Sequence, residues 1–261
     1  DRLSLKAANN LNGRIIELNS TLASGFVEGA FDYKGLKSGI EHVVADVIPA
    51  YEATSQKGKE DFILDLTAGD LSMLLELFAP ELYIAVGSRI ILSMSELDKS
   101  ISGNLYSDRV GYAEMFMDTI VIDIQKPGNE LYLNLISDRF SIRDSVQFSP
   151  ISLDARNEAD TIYTSLSWGD YSDDLMGEVN AEFQIFSNDH IKMSFSPSTF
   201  NIKQTQWVID DKAIVEMDST SFHVQNLKFT HSDQLVNIEG KISENASDEM
   251  FVNLKDIDLQ L

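Results

Sequence analysis

The residues able to do chemistry are few in kind and poorly spaced for it. The chain has four histidines, His42, His190, His223 and His231, and no cysteine. No two of the histidines form an H-x-H or H-x-x-x-H pair, whereas a zinc site needs three or four convergent ligands. The missing cysteines exclude a disulfide framework and a thiolate metal site. Acidic residues cluster at Asp170, Asp173 and Asp174, and again at Asp210 and Asp211. Neither cluster follows the D-x-[DN]-x-[DN]-G order of a calcium loop, and acidic residues suit turns anyway because they bond local backbone. There is no G-x-S-x-G nucleophile elbow and no glycine-rich phosphate loop. Carboxylate pairs are too common in so acidic a chain to specify glycoside chemistry. The expectation is a protein that is not an enzyme, with no cofactor and no metal.

What remains is apolar. Phe183, Met193, Phe195, Phe200, Trp207 and Phe222 recur in the second half of the chain. Such a series forms either an ordinary sandwich core or an open apolar trough, and period alone does not separate the two.

The elements that carry these residues read as strands. Residues 236–261 set the pattern: Val236, Ile238 and Ile242 on one side of a strand, Asn237 and Glu239 on the other, a polar turn over 243–249, then Phe251, Val252 and Leu254 running toward Ile257, Leu259 and Leu261. Alternation with period two marks a sheet with one wet and one dry face, and the break at Asp256 predicts a bulge or a strand end. The same alternation recurs in Phe183 and Ile185; in Ile191, Met193 and Phe195; in Trp207 and Ile209; in Ala213, Val215 and Met217; and in Phe222 and Val224, then Leu227 and Phe229. Turns are expected at 126–129, 149–150, 169–170, 187–189, 210–211, 231–233 and 245–248, the spacing of an antiparallel meander.

Only the first third departs from this. Residues 3–32 read as three short strands punctuated by Gly13, Gly25 and Gly29. Leu36, Ile40, Val43, Val44 and Val47 form one stripe of a helix over 35–52, closed by Pro49. A strand over 61–66 follows. Asp70 is then the expected N-cap of a short helix whose stripe is Leu71, Leu74, Leu75 and Phe78, ended by Pro80. Two strands fill 81–95, and further strands are expected over 101–106, 110–116 and 119–125. The helical signal stops near residue 100, so the expected division is a strand–helix segment over 1–100 and a β-meander over 101–261.

Lys plus Arg is 20 and Asp plus Glu is 42, a net charge of -22. So acidic a chain repels nucleic acid and anionic membrane surfaces, and the charge serves the solubility of a wet sheet face. No run reaches the roughly 20 apolar residues of a membrane-spanning helix. Opening on Asp1-Arg2 and closing on Leu259-Gln260-Leu261, both in mid-pattern, predicts a piece cut from a longer chain.

The stretch IEGKISENASDEMFVNLKDIDLQ near the C-terminus resembles the repeat of the TamB family of translocation and assembly proteins, AsmA-like bridge-like proteins of the bacterial envelope. FVEGAFDYKGLKSGIEHVVADVIPAYEA at 26–53 is similar to that family's strand–helix insert. DFILDLTAGDLSMLLELFAPELYIAVGSRI at 61–90 resembles its segment with a Leu-rich helix before P-x-L-x-I-x-x-G, and VNAEFQIFSNDHIKMSFSPSTFNIKQTQWVI at 179–209 the strands before its terminal repeat.

The resemblance implies an elongated, curved antiparallel β-sheet, U-shaped like a trough, dry inside and wet outside, with one or two short helices in the first third. It implies a periplasmic location, as part of a protein anchored in the inner membrane of a two-membrane bacterium. It also implies phospholipid movement between the membranes and contact with an outer-membrane barrel of the insertase superfamily through regions outside this chain. On that reading the residues lining an acyl-chain groove are Leu131, Leu133, Leu135, Phe183, Ile185, Ile191, Met193, Phe195, Trp207, Ile209, Val236, Ile238, Ile242, Val252 and Leu254. The alternatives are a chaperone-like module that assists outer-membrane protein assembly by β-augmentation, and a closed β-sandwich interaction domain.

Overall fold

A computed structural model describes residues 3–11, 13–32, 39, 41–42, 45, 60–143, 146–158, 161–169, 176–187, 189–202, 205–210 and 212–257. The described chain is mainly β, antiparallel throughout the pairings given below, with one short complete helix. It divides by packing into two units, one of residues 1–47 with 52–152 and one of residues 48–51 with 153–261.

In the first unit, β1 (Ser4–Asn10), β2 (Gly13–Asn19), β3 (Ala23–Ala30) and β4 (Asp61–Ala68) pair in sequence. Helix α1 (Ser72–Phe78) and β5 (Leu82–Ile84) follow, and β4 then pairs with β6 (Arg89–Ser95) rather than with β5. Long strand β7 (Ser100–Tyr112) holds both: its first half pairs with β6 and its last residues with β5. β8 (Met115–Lys126), β9 (Tyr132–Ile142) and β10 (Val146–Phe148) complete a meander.

Glycine permits the early strands to close up. Gly25 and Gly29 have φ of 156° and 148°, and a Cβ at either would overlap a β4 backbone carbonyl, that of Asp65 or Asp61. Any other residue would force β3 and β4 apart.

β11 (Ile151–Glu158) spans the division between the units. In the second unit β12 (Thr161–Trp168) pairs with β13 (Gly177–Ser187). From β13 two short routes lead to β18 (Ser221–His231): β14 (His190–Phe195) then β17 (Ile214–Met217), and β15 (Ser198–Ile202) then β16 (Thr205–Ile209). β19 (Gln234–Ser243) and β20 (Met250–Lys255) follow as hairpins.

The expected antiparallel β class holds, with corrections; the strands over 101–261 are not one continuous meander, because β13 pairs with both β14 and β15, β14 with β17 and β16 with β18. The three strands expected over 101–125 are two longer ones, β7 and β8, because the turn falls at Ala113-Glu114, where Ala113 has φ 52°. Asp70 is not the N-cap of α1. Leu71 holds that position without a side-chain cap, while Asp70 accepts hydrogen bonds from the Ser72 N–H at 3.1 Å and its Oγ at 2.6 Å, a turn just ahead of the helix. The helix does end before Pro80. At Asp256 (φ 51°) β20 has ended, so the break there is a strand end. The division by packing falls near 152, whereas the helical signal stops near 100, where β6 and β7 form a tight hairpin. In the earlier stripe Gly39, Glu41, His42 and Ala45 are helical; Leu36, Ile40, Val43, Val44, Val47 and Pro49 lie outside the described residues, as do Asp170, Asp173, Asp174, Asp211, Leu259 and Leu261.

Candidate functional site

Residues directly opposite one another in an antiparallel pair project from the same face, so register alone assembles surfaces. In the second unit Ile162, Phe183, Met193, Val215 and Val224 stand opposite one another in succession across β12, β13, β14, β17 and β18. A parallel row runs through Ile185, Ile191, Met217, Phe222 and Ile242. A third runs through Ile209, Phe229, Val236 and Leu254, and a fourth through Leu227, Ile238 and Val252. Phe195 faces Ala181, and Trp207 faces Phe200, on the same side.

Every residue expected to line a groove between Phe183 and Leu254 therefore sits on one face. The shift from even to odd numbering within β18 has a structural cause: the register slips between Val224 and Leu227, where Asn226 has φ 53°. This bulge keeps Leu227 and Phe229 beside Phe222 and Val224.

Burial along this face is graded. Ile209 and Val224 are each 3% exposed, while Ile242, Val252 and Leu254 are 55%, 59% and 60% exposed. Phe183, Ile185, Ile191, Met193, Phe195, Trp207, Val236 and Ile238 are half-buried. Rings add contacts near the deep end: Phe200 meets Phe229 edge-on at 5.9 Å, and Trp207 lies 5.9 Å from the His231 ring.

The first unit carries a face of the same make. Ala7, Ile16, Val27, Leu64, Leu92, Gly103, Ile124 and Leu133 stand opposite one another from β1 through β9. Beside them run Leu5, Leu18, Gly25, Leu66, Ile90, Leu105, Ile122 and Leu135. Leu131 is half-buried and lies just before β9. The opposite face is mixed: Lys6, Glu17, Phe26, Asp65, Ile91, Asn104, Asp123 and Asn134 form one row, and Arg89, Tyr106, Val121 and Ile136 another. There Arg89 grips Asp65 with two hydrogen bonds, of 2.9 and 2.5 Å, and holds its carboxyl below the usual carboxylate range. Most of the first unit's apolar rows were missed as lining, although their alternation is plain: Phe62, Leu64, Leu66 in β4; Ile90, Leu92, Met94 in β6; Ile120, Ile122, Ile124 in β8.

Both ends of the first unit's apolar face are polar. At one end Phe31, Phe62 and Met94 pack together, and a Cβ at helical Gly39 would strike the Met94 side chain. Around them lie Glu60 and Glu96, 7% and 4% exposed. Glu96 accepts from the Glu60 N–H at 3.2 Å, Glu60 accepts from the Asp32 N–H at 3.0 Å, and His42 Nδ1 is 3.5 Å from the Glu96 carboxylate. Burial pushes the Glu60 carboxyl up despite the Asp32 N–H bond. Buried Lys126 donates from Nζ to the carbonyls of Lys99, at 3.0 Å, and Gly128. At the other end Asp118 bridges Arg109 at 3.2 Å and Arg139 at 2.5 Å.

The histidines stay apart: His190 pairs with Glu216 at 2.7 Å and His231 with the Gln206 carbonyl at 2.8 Å. No group of three or more His, Asp or Glu among the described residues could hold a metal. What this arrangement can do is hold apolar matter. It offers aligned aliphatic and aromatic side chains, a backbone whose groups pair within the sheet, and no polar atom along the rows that needs a partner. No family model, curated protein or solved structure matches the chain.

Proposed function

We propose that this chain is a periplasmic segment of a TamB-like bridge protein, which holds phospholipid acyl chains along its apolar sheet faces while they pass between the inner and outer membranes. The carrying observation is the half-exposed state of those faces. Rows made mostly of Leu, Ile, Val, Met and Phe, with Ala7, Gly25, Gly103 and Gly240 among them, run across successive strands, yet among the described residues only nine hydrophobic residues are buried. A closed sandwich buries such rows against a second layer. An open face leaves them for a ligand to cover.

The dimensions suit that ligand. The row from Ile162 to Val224 continues through Gly240 and Met250. At about 4.8 Å per strand it runs roughly 30 Å, about twice the reach of one acyl chain in a bilayer whose two leaflets share about 30 Å. Each methylene kept from water contributes about 0.8 kcal/mol, so a partly covered chain is held firmly yet can slide without breaking directional bonds. The charge of -22 keeps such a surface from self-association.

Native mass spectrometry of the gently purified chain, with lipid extraction alongside, tests the reading. Co-purifying phospholipid is expected, and its occupancy should fall in Ile238→Asp and Met193→Asp variants that retain the wild-type circular dichroism. A clean apo mass under lipid-rich conditions, or unchanged occupancy in both folded variants, would overturn it.

A further inference from the structure

The apolar face of the first unit ends in cations. Leu105, Ser107 and Arg109 of β7 stand in register with Ile122, Ile120 and Asp118 of β8, and these with Leu135, Ser137 and Arg139 of β9. Arg139 donates to Asp118 Oδ2 from Nε at 2.7 Å and from Nη2 at 2.5 Å, and Arg109 Nε lies 3.2 Å from Oδ1. Two guanidinium groups thus share one carboxylate, a local excess of positive charge in a chain of -22. The nearby Asp108 and Asp138 alternate onto the other face, where both act on Tyr106, and Arg143 pairs with Glu114. Among the described residues both Nη groups of Arg109 and Nη1 of Arg139 have no hydrogen-bond partner, and the two side chains are 44% and 48% exposed. The backbone beneath them is fixed: fully buried Ser107 and Ser137 donate from Oγ to the carbonyls of Arg109, at 3.0 Å, and Arg139, at 2.9 Å. The Arg109 guanidinium lies 4.6 Å from the centre of the Phe116 ring. Phe116 in turn lines a concavity beside α1 together with Tyr83, Asp70, Glu76 and Glu81.

From this juxtaposition we infer that the arginine end of the face is the headgroup site of a zwitterionic phospholipid. The inference deepens the proposed function and rests on it. Arg109 and Arg139 take the phosphate, whose oxygens match the paired N–H donors of a guanidinium. The acyl chains lie along the strands, past Leu135 to Leu133. From Arg139 back to Leu133, β9 covers roughly 20 Å at about 3.3 Å per residue, enough for the roughly 15 Å that one chain reaches in a leaflet. On the other side of Phe116, the carboxylates of Asp70, Glu76 and Glu81 suit the ammonium of an ethanolamine or choline head, and the Phe116 ring suits it too. A head with no cation to set against those carboxylates is disfavoured. A neutral glyceride leaves the free guanidinium donors with nothing to bond.

The test is titration with short-chain lipids below their micelle concentration, followed by calorimetry and by the arginine Nε–H resonances in NMR. Dihexanoylphosphatidylcholine should bind about tenfold more tightly than dihexanoylglycerol and should move the Arg109 and Arg139 resonances. Dihexanoylphosphatidylglycerol, with no ammonium, should bind more weakly than the choline lipid. An Arg109→Gln/Arg139→Gln variant should lose the preference for the choline lipid yet still bind dihexanoylglycerol. Adding Asp118→Asn to that pair leaves no carboxylate unpaired, so the triple variant should fold and behave alike. Asp118→Asn alone removes the group that competes with phosphate and should tighten binding of the choline lipid. Equal affinity for the choline lipid and dihexanoylglycerol, or a preference that survives the arginine substitutions, would overturn the inference and leave the lipid reading standing. Inorganic phosphate binding as tightly as the choline lipid, or the glycerol-headed lipid matching it, would also overturn it. Binding of none of the lipids would sink the lipid reading, and the headgroup site with it.

Discussion

At the residue scale the informative groups are those placed against their own preference. Glu60 is buried beside Glu96 and Asp32, and burial raises its carboxyl above the ordinary value of 4.5. Its proton is therefore held more tightly in the folded chain than in the unfolded one. The folded state is not penalised below the unfolded value; as pH rises from there through the raised folded value, stability is lost. Glu60→Gln keeps an acceptor for the Asp32 N–H and removes the ionisation. Its melting temperature should exceed the wild type's at neutral pH, with the gap closing near pH 4, about the unfolded carboxyl value. A gap independent of pH would show that ionisation is not the cause. Gly29 is constrained by backbone instead: its φ of 148° and the Asp61 carbonyl leave no room for a methyl group. Gly29→Ala should cost more than about 1 kcal/mol in a urea melt, whereas at a compatible site that exchange stabilises.

At the element scale, two kinds of apolar side chain separate by what covers them. Met94, near the end of β6, is 1% exposed and packs with Phe31 and Phe62. Met94→Ala should cost about 2–5 kcal/mol of folding free energy, by lost transfer and a cavity. Phe78 has the larger side chain yet is 82% exposed. Phe78→Ser should shift stability by no more than about 0.5 kcal/mol. The sequence made these positions look alike, since each belongs to a clean apolar period. For α1 the stripe of Leu71, Leu74, Leu75 and Phe78 was legible, but its burial was not: a 3.6-residue period states that a helix has an apolar side, and nothing about whether anything lies against it. The strands were more legible because period two has a single outcome, a two-faced sheet. The join of 101–106 with 110–112 into β7 was missed because the chain passes Ser107 and Asp108 as a polar interruption, while Ser107, fully buried, bonds to Ser88 Oγ at 2.6 Å and keeps the strand going.

At the scale of the whole molecule, charge is the collective variable. A net charge of -22 repels itself in any compact arrangement, and salt screens that repulsion. Raising the ionic strength from about 0.01 M to about 0.15 M shortens the Debye length from about 30 Å to about 8 Å, so the melting temperature should rise over that range. A fall would mean that pairs such as Arg89–Asp65 and Arg139–Asp118 outweigh the general repulsion. By itself the sequence determined the β class and which apolar residues of a strand share a side, because alternation and turn chemistry are local and each strand declares its own two sides. Only the tertiary structure decided which strands are neighbours: β4 passing over β5 to reach β6, the two short routes joining β13 to β18, and the bulge at Asn226 that keeps Phe222 and Phe229 on one side. Those follow from hydrogen-bond register between segments far apart in the chain, which no local period encodes. The degree of cover over each apolar residue likewise depends on what packs against it, and that separates Ile209 from Leu254 although both fit the same sequence pattern.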